Sequence, residues 1–242
     1  MAVARRRLGV IAAAVAALAV VGVVGWWFLV RDDAPPPADI ATAAETLDGS
    51  AAGDASGDGV EGEWVVDTSI GSFDDFSGTF AGYRFDEELA GVGGNTAAGR
   101  TPDVSGTMTV AGDEVTGVDV EVDLRTLRSD SGIRDNALRT RGLESDRFPT
   151  ASFSLVEPVA LPAGVLDGER VTTAAAGDLT VHGVTRELTV EIEAELSGGA
   201  AVVVGRASVR LGDFGIDPPT GLSVLSIEDE GLFELQIFFS RG

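Results

Sequence analysis

Apolar and polar residues alternate along most of the chain after Trp64, with the two-residue period of a β-strand. The clearest alternating segments are residues 118–124, 188–196 and 233–239. In each segment one face is apolar, and the other face carries mostly acidic or other polar side chains. Further strands are predicted at residues 64–67, 80–89, 104–110, 150–157, 170–181 and 202–211. Most of this part of the chain is therefore expected to form β-sheet.

The connections between these strands are short and contain turn-forming residues. Gly112-Asp113 separates one pair of strands, and His182-Gly183 separates another. Such short links join antiparallel neighbours. Long strands joined in this way favour an up-and-down barrel, which also removes exposed strand edges. A β-sandwich remains the alternative architecture.

One excursion, residues 124–153, interrupts the alternation. Within it, residues 132–143 place Ile133, Ala137 and Leu138 at helical spacing, which predicts a short helical insertion between two strands. We expect this excursion to lie beside the mouth of the barrel. It carries six of the 17 basic residues of the chain: Arg125, Arg128, Arg134, Arg139, Arg141 and Arg147.

The N-terminal part of the chain contains an apolar run over residues 8–30, with no charged side chain. A helix needs about 20 apolar residues to cross the core of a bilayer. Arginines at positions 5–7 precede the run, so residues 1–7 are predicted to be cytoplasmic and the rest of the chain extracytoplasmic. A cleaved signal peptide is the alternative. The length of the run and the aromatic pair Trp26-Trp27 at its end favour a retained transmembrane anchor.

Residues 31–62 follow the predicted anchor and contain three consecutive prolines, then mostly Ala, Asp, Gly and Ser. Such a segment has few large apolar side chains with which to offset the entropy lost on ordering. We therefore expect an acidic flexible linker, followed by one folded domain over residues 63–242.

The composition excludes several classes of function. Asp and Glu number 39 against 17 basic residues, and the net charge of −22 argues against nucleic-acid binding. The chain has no cysteine and one histidine, His182, so a cysteine nucleophile or a multi-histidine metal site is excluded. No nucleophile-elbow motif is present. We expect a protein that is not an enzyme and needs no metal or cofactor.

Three motifs in the strand-rich region occur in a specific order. Residues 134–138 read RDNAL and are followed by FPTASF at 148–153; residues 177–190 read GDLTVHGVTRELTV; residues 211–216 read LGDFGI. Together they resemble the YceI-like family of polyisoprenoid-binding domains, in the motif order of that family and from Trp64 to the C-terminus. Ala137 stands where the family usually has histidine.

This resemblance implies a lipocalin-like, antiparallel eight-stranded barrel that holds the tail of an isoprenoid or other long-chain lipid in its lumen. An eight-stranded barrel is just wide enough for side chains to fill it, so a solid core is the alternative. The candidate wall residues are the apolar members of the alternating segments: Val118, Val120, Val122, Phe153, Leu155, Leu188, Val190, Ile192, Leu235 and Ile237.

The head group of such a lipid is predicted to meet Arg134 and Asp135, because the first motif falls there and arginine suits anionic groups. Alternatively, this pair pins the short helix to the barrel. Taken together, the sequence predicts a single-pass cell-membrane protein whose extracytoplasmic domain binds lipid. The alternative function is a non-binding structural or interaction module displayed on the cell surface.

Overall fold

The computed structural model describes residues 34–50, 59–91, 93–219 and 224–242. The predicted cytoplasmic segment 1–7 and the predicted anchor 8–30 lie outside these residues. Within the described ranges, no helix combines the length and the apolar character needed to cross a membrane.

The described residues form thirteen strands and two α-helices. The helices are α1 (Ile40–Gly49) and α2 (Gly132–Thr140). The strands are β1 (Gly62–Val66), β2 (Phe80–Leu89), β3 (Gly93–Thr101), β4 (Val104–Ala111), β5 (Glu114–Asp123), β6 (Arg128–Ser129), β7 (Thr150–Leu155), β8 (Val159–Ala160), β9 (Val171–Val181), β10 (Val184–Ser197), β11 (Ala200–Arg210), β12 (Val224–Ile227) and β13 (Glu230–Arg241).

Eight of these strands close into an antiparallel barrel, which confirms the barrel of the predicted fold; the predicted transmembrane helix lies outside the described residues. The order is β1-β4-β5-β7-β9-β10-β11-β13, and β13 pairs again with β1. β2 continues the wall beyond β1 along the same edge of β13, and β3 pairs with β2. Closure leaves no pair of separate sheets, so the sandwich alternative is wrong. The short helical insertion is also confirmed, as α2.

The two ends of the barrel differ. At one end, here called the loop end, lie the turns at residues 112–113 and 198–199 together with the loop 161–170. At the opposite end, here called the helix end, lie α2, the turn at residues 182–183 and the segment 211–219. The excursion 124–153 therefore belongs to the helix end.

Helix α1 corrects the expectation that residues 31–62 form a flexible linker. Asp39 caps this helix by accepting a hydrogen bond from the backbone N–H of Thr42 at 3.0 Å. Its apolar face packs on the outside of the barrel, in one buried cluster with Val202 and Phe238. Ordering is favourable here because β11 is apolar on its outer face too, and the helix covers that face.

The residues before α1 are also fixed to the barrel. Arg84 Nη2 donates to the carbonyl of Pro35 at 2.5 Å, and Arg100 Nη2 donates to the carbonyl of Pro36 at 2.6 Å. Arg206 Nη2 donates to the carbonyl of Ala38. We call residues 35–38 the strap. The strap is rich in proline and forms no helix or sheet hydrogen bonds. Three of its carbonyl groups instead accept hydrogen bonds from guanidinium groups of the barrel.

A buried ion pair supports the strap. Arg100 is 2% exposed, and its Nη2 lies 2.7 Å from Glu234 Oε1. Glu234 also accepts from the backbone N–H of Ala38 at 3.4 Å, and the Arg100 guanidinium lies over the ring of Phe80. Burial lowers the pKa of Arg100, and the carboxylate of Glu234 opposes that shift.

Candidate functional site

The lumen of the barrel contains a cavity of about 280 Å³, lined by inward side chains from the barrel strands. Its volume lies near the lower limit of typical ligand pockets. All ten residues predicted as walls line this cavity: Val118, Val120, Val122, Phe153, Leu155, Leu188, Val190, Ile192, Leu235 and Ile237.

Small inward residues keep the lumen from filling. On β9 and β11, where large side chains would meet across the barrel, several inward positions carry little or no side chain. At Gly205 the absent side chain makes room for Leu235 and Val190, because an added Cβ would lie 3.0 Å from Leu235. Sequence reasoning missed these residues because alternation reveals which face a residue occupies, not how much space it leaves. The set is Thr173, Ala175, Ala201, Gly205 and Ala207.

The helix end of the cavity is closed. Tyr83, Leu124 and Leu143 line the cavity there and are buried in one cluster with Phe214 and Ile216. The Tyr83 hydroxyl packs against the backbone of Gly99 and has no hydrogen-bond partner among the described residues. Burial raises the pKa of Tyr83, so this hydroxyl stays protonated at neutral pH.

Arg134 and Asp135 hold α2 over this closed end. Arg134 Nη2 donates to Glu87 Oε1 at 2.6 Å, and its Nη1 donates to Asp130. Burial alone would lower the pKa of Arg134, but the nearby carboxylates raise it. Asp135 accepts from the backbone N–H of Ser129 at 3.0 Å and from its hydroxyl at 2.6 Å. These contacts fit the pinning role.

The head-group role of Arg134 and Asp135 stays a prediction. Neither residue is among those that line the cavity. Both are engaged with side chains that lie far from them in sequence or on the preceding turn, which the sequence pattern does not reveal. The excursion that carries them covers the closed end of the barrel and does not lie beside its mouth.

The loop end is where the cavity meets solvent. Of the lining residues, Ala160 and Leu166 are exposed, and Leu166 keeps 61% of its surface accessible. Leu166 sits in a 3₁₀ turn flanked by Gly164 (φ 90°) and Gly168 (φ 78°). Both conformations favour glycine, which allows this turn to bend sharply across the opening. A ligand would therefore enter at the loop end.

His182 has a structural environment at the helix end. Its Nε2 lies 2.8 Å from Glu144 Oε2, and its Nδ1 lies 3.2 Å from the carbonyl oxygen of Phe214. These contacts join the β9–β10 turn to two neighbouring segments. In the part of the chain that the structure describes, no group of three or more His, Cys, Asp or Glu side chains could hold a metal ion.

Comparison with known proteins gives relatives in sequence and in structure. Residues 59–239 match the YceI-like domain family. A UPF0312 protein of Vibrio vulnificus is 33% identical over 113 residues, which cover 44% of this chain and 56% of the relative. A UPF0312 protein of Vibrio parahaemolyticus is 30% identical over 118 residues, covering 46% and 59%. The chain thus matches just over half the length of these curated relatives.

Two solved structures share the fold. A polyisoprenoid binding domain from Saccharophagus degradans, implicated in plant cell wall breakdown, superposes with a TM-score of 0.54 at 13% identity, covering 74% of this chain and 98% of that chain. BcnA of Burkholderia cenocepacia superposes with a TM-score of 0.51 at 15% identity, covering 66% and 95%. At these identities the likeness concerns the fold alone.

Proposed function

The chain belongs to the YceI-like domain family, and on that premise we propose that its barrel binds the apolar tail of a long-chain lipid of the isoprenoid type. The observation that carries this proposal is the hollow apolar lumen of about 280 Å³, closed at one end and open at the other. A solid barrel would leave no such space. The Saccharophagus degradans domain with this fold is described as polyisoprenoid binding, which supports the same ligand class here.

The walls suit an apolar chain energetically. Each methylene group transferred from water to such a lumen contributes about 0.8 kcal/mol. Ten buried carbons would contribute about 8 kcal/mol, which corresponds to a micromolar Kd before ordering costs are subtracted. Affinity on this scale needs few polar contacts. The proposed mechanism is binding and carriage, with no chemical step.

We further propose that residues 8–30 anchor the chain in the cell membrane, with the barrel outside the cytoplasm. The support is the uncharged apolar run and the three arginines that precede it. An anchor of this kind would raise the local concentration of the barrel at the membrane surface. Digestion of intact spheroplasts by an external protease tests the location: the barrel should be removed and residues 1–7 should stay protected.

Lipid extraction tests the binding function. The full chain is purified from membranes in detergent, extracted with organic solvent and analysed by mass spectrometry. Lipids around the anchor will be present in any such sample, so the matched control is the double variant Ala175→Leu/Ala201→Leu, whose lumen is filled but whose anchor is unchanged. A long-chain lipid enriched in the native chain over this variant supports the proposal. Identical lipid profiles, together with no uptake of added prenyl chains by the native protein, would refute it.

A further inference from the structure

Among the described residues, two side chains that line the lumen have a hydroxyl group without a protein partner: Tyr83 at the closed end and Thr173 toward the loop end. Glu195 and Glu234 border the lumen, but their carboxylates turn outward to Arg170 and Arg100. Thr173 lies on the inward face of β9 together with Val171 and Ala175, and it lines the cavity. Among the described residues its hydroxyl makes no hydrogen bond to protein. A hydroxyl facing an apolar cavity is unfavourable unless something occupies the cavity and pairs with it.

Thr173 lies near the open end of the cavity. β9 begins at Val171 at the loop end, and Thr173 is two residues further in, opposite Ile192 of β10. At about 3.3 Å per residue, the Cα of Thr173 lies roughly 7 Å along the strand from Val171, and less than that along the barrel axis because barrel strands are tilted. This depth suits the boundary between a buried tail and a head group at the opening. The tail would then extend from Thr173 toward the closed end.

The rim around this opening is acidic. The exposed lining residues Ala160 and Leu166 belong to the segment 156–170. This segment carries the carboxylates of Glu157, Asp167 and Glu169, and Ala160 pairs with Glu114 across the sheet. Its one cation, Arg170, is paired with Glu195, with Nη2 3.2 Å from Oε2. A phosphate group beside this segment would therefore meet three carboxylates and one cation that is already paired. Arg241, at the same end of the barrel, lies over the ring of the lining residue Trp64, 5.5 Å from its centroid.

We propose that the ligand is a lipid with an uncharged polar head, an alcohol, ester or carbonyl oxygen, which hydrogen-bonds to Thr173 at the loop end. This inference rests on the proposed lipid-binding function. It adds the class of head group and the residue that selects it. Thr173 can donate to a carbonyl oxygen or accept from a hydroxyl group, so it distinguishes an oxygen-bearing chain from a plain hydrocarbon.

Three probes with closely similar branched chains test the proposal: geranylgeraniol, geranylgeranyl phosphate and the hydrocarbon phytane. Binding of each to the full chain is measured by displacement of a fluorescent prenyl probe. The lumen-filled variant Ala175→Leu/Ala201→Leu corrects for partition into detergent. The native chain should bind the alcohol more tightly than the phosphate. The difference in affinity between geranylgeraniol and geranylgeranyl phosphate should decrease at high salt, because salt screens exposed charges.

Substitution of the threonine tests its role directly. Thr173→Val keeps the shape of the side chain and removes the hydroxyl. It should weaken geranylgeraniol about fivefold, the effect of one neutral hydrogen bond, and leave phytane unchanged. The matched control is Thr172→Val on the same strand, where the side chain is exposed and faces outward. That variant should bind all three probes like the native chain.

The outcomes separate the two proposals. If no probe displaces the reporter, lipid binding itself is refuted. If the probes bind but the phosphate is as tight as the alcohol, the uncharged head group is refuted while lipid binding stands. Equal effects of Thr173→Val on geranylgeraniol and phytane, or no effect on either, would refute the contact with Thr173. A melting curve for each variant confirms that the compared proteins are folded.

Discussion

Filling the lumen is the perturbation that most directly separates a ligand cavity from a packed core. Ala175 lies on β9 in the middle of the barrel, faces the cavity and pairs with Val190 of β10. Ala175→Leu adds three carbon atoms to this position. If each occupies about the volume of a water, ~30 Å³, the substitution removes about 90 Å³. That is about a third of the 280 Å³ cavity.

The expected effects on binding and on stability have opposite signs. Excluding three methylene groups of the ligand tail costs about 2.4 kcal/mol, or about 50-fold in Kd. The new leucine meanwhile buries apolar surface in a space that was empty. The free energy of unfolding should therefore stay constant or rise by up to ~2 kcal/mol. In a packed core, the same substitution would cost about 1–3 kcal/mol through overpacking.

Displacement of a fluorescent prenyl probe and urea unfolding, measured on the same samples, check both effects. The matched control is Ala174→Leu, one residue earlier on the same strand, where the side chain is exposed and faces outward. This control should bind the probe normally. Native affinity in Ala175→Leu would refute the lumen as the binding site. A loss of stability of more than about 1 kcal/mol would show that the lumen has no spare room at this position.

Three other predictions concern the segment that precedes the barrel. A chain shortened to begin at Trp64 should melt at a lower temperature and aggregate more than one that begins at Ala34, because it uncovers the apolar outer face of β11 and β13; equal behaviour in light scattering would contradict the role of α1. Arg100→Met leaves the buried Glu234 with only the longer contact to Arg84, at 3.7 Å, and should cost about 3 kcal/mol in urea unfolding, part of which Arg100→Met/Glu234→Gln should restore. Asp39→Ala should cost about 1 kcal/mol at pH 7. The hydrogen bond from the backbone N–H of Thr42 lowers the pKa of Asp39, so this contribution is present above the unfolded pKa of about 3.9 and is lost as the pH falls through the folded value; a cost independent of pH would argue against the cap.

The alternation of apolar and polar residues predicted most of the strands and all ten candidate wall residues that line the cavity. The reason is geometric: successive side chains of a strand point to opposite faces, so the apolar set of a closed sheet must face inward. Alternation does not report the space between opposite walls. Whether residues such as Ala175 and Ala201 face large or small partners depends on strand order and register, which long-range pairing decides.

The order of residues 40–49 and the protein contacts of Arg134 were not predicted, for different reasons. The side chains of residues 40–49 are mostly small or polar, so we expected no ordered structure there. A few apolar residues are enough to hold this helix, because the outer surface of the barrel that they cover is itself apolar. A signal was present in residues 200–205, AAVVVG, where both faces of one strand are apolar and the outer face needs a cover. The contact between Arg134 and Glu87 could not be predicted from local spacing, because the two residues are 47 positions apart in the chain.

The strap limits how far the barrel can travel. If residues 8–30 are a retained anchor, only residues 31–34 separate the membrane-spanning helix from the first backbone carbonyl bound by the barrel wall. The span from residue 30 to residue 35 cannot exceed about 18 Å even when fully extended, whereas a free segment reaching residue 62 could extend more than about 100 Å. A barrel held this closely would exchange lipid with the bilayer that anchors it, or with a protein that approaches that bilayer. It would not shuttle cargo across a wide aqueous gap to a facing membrane.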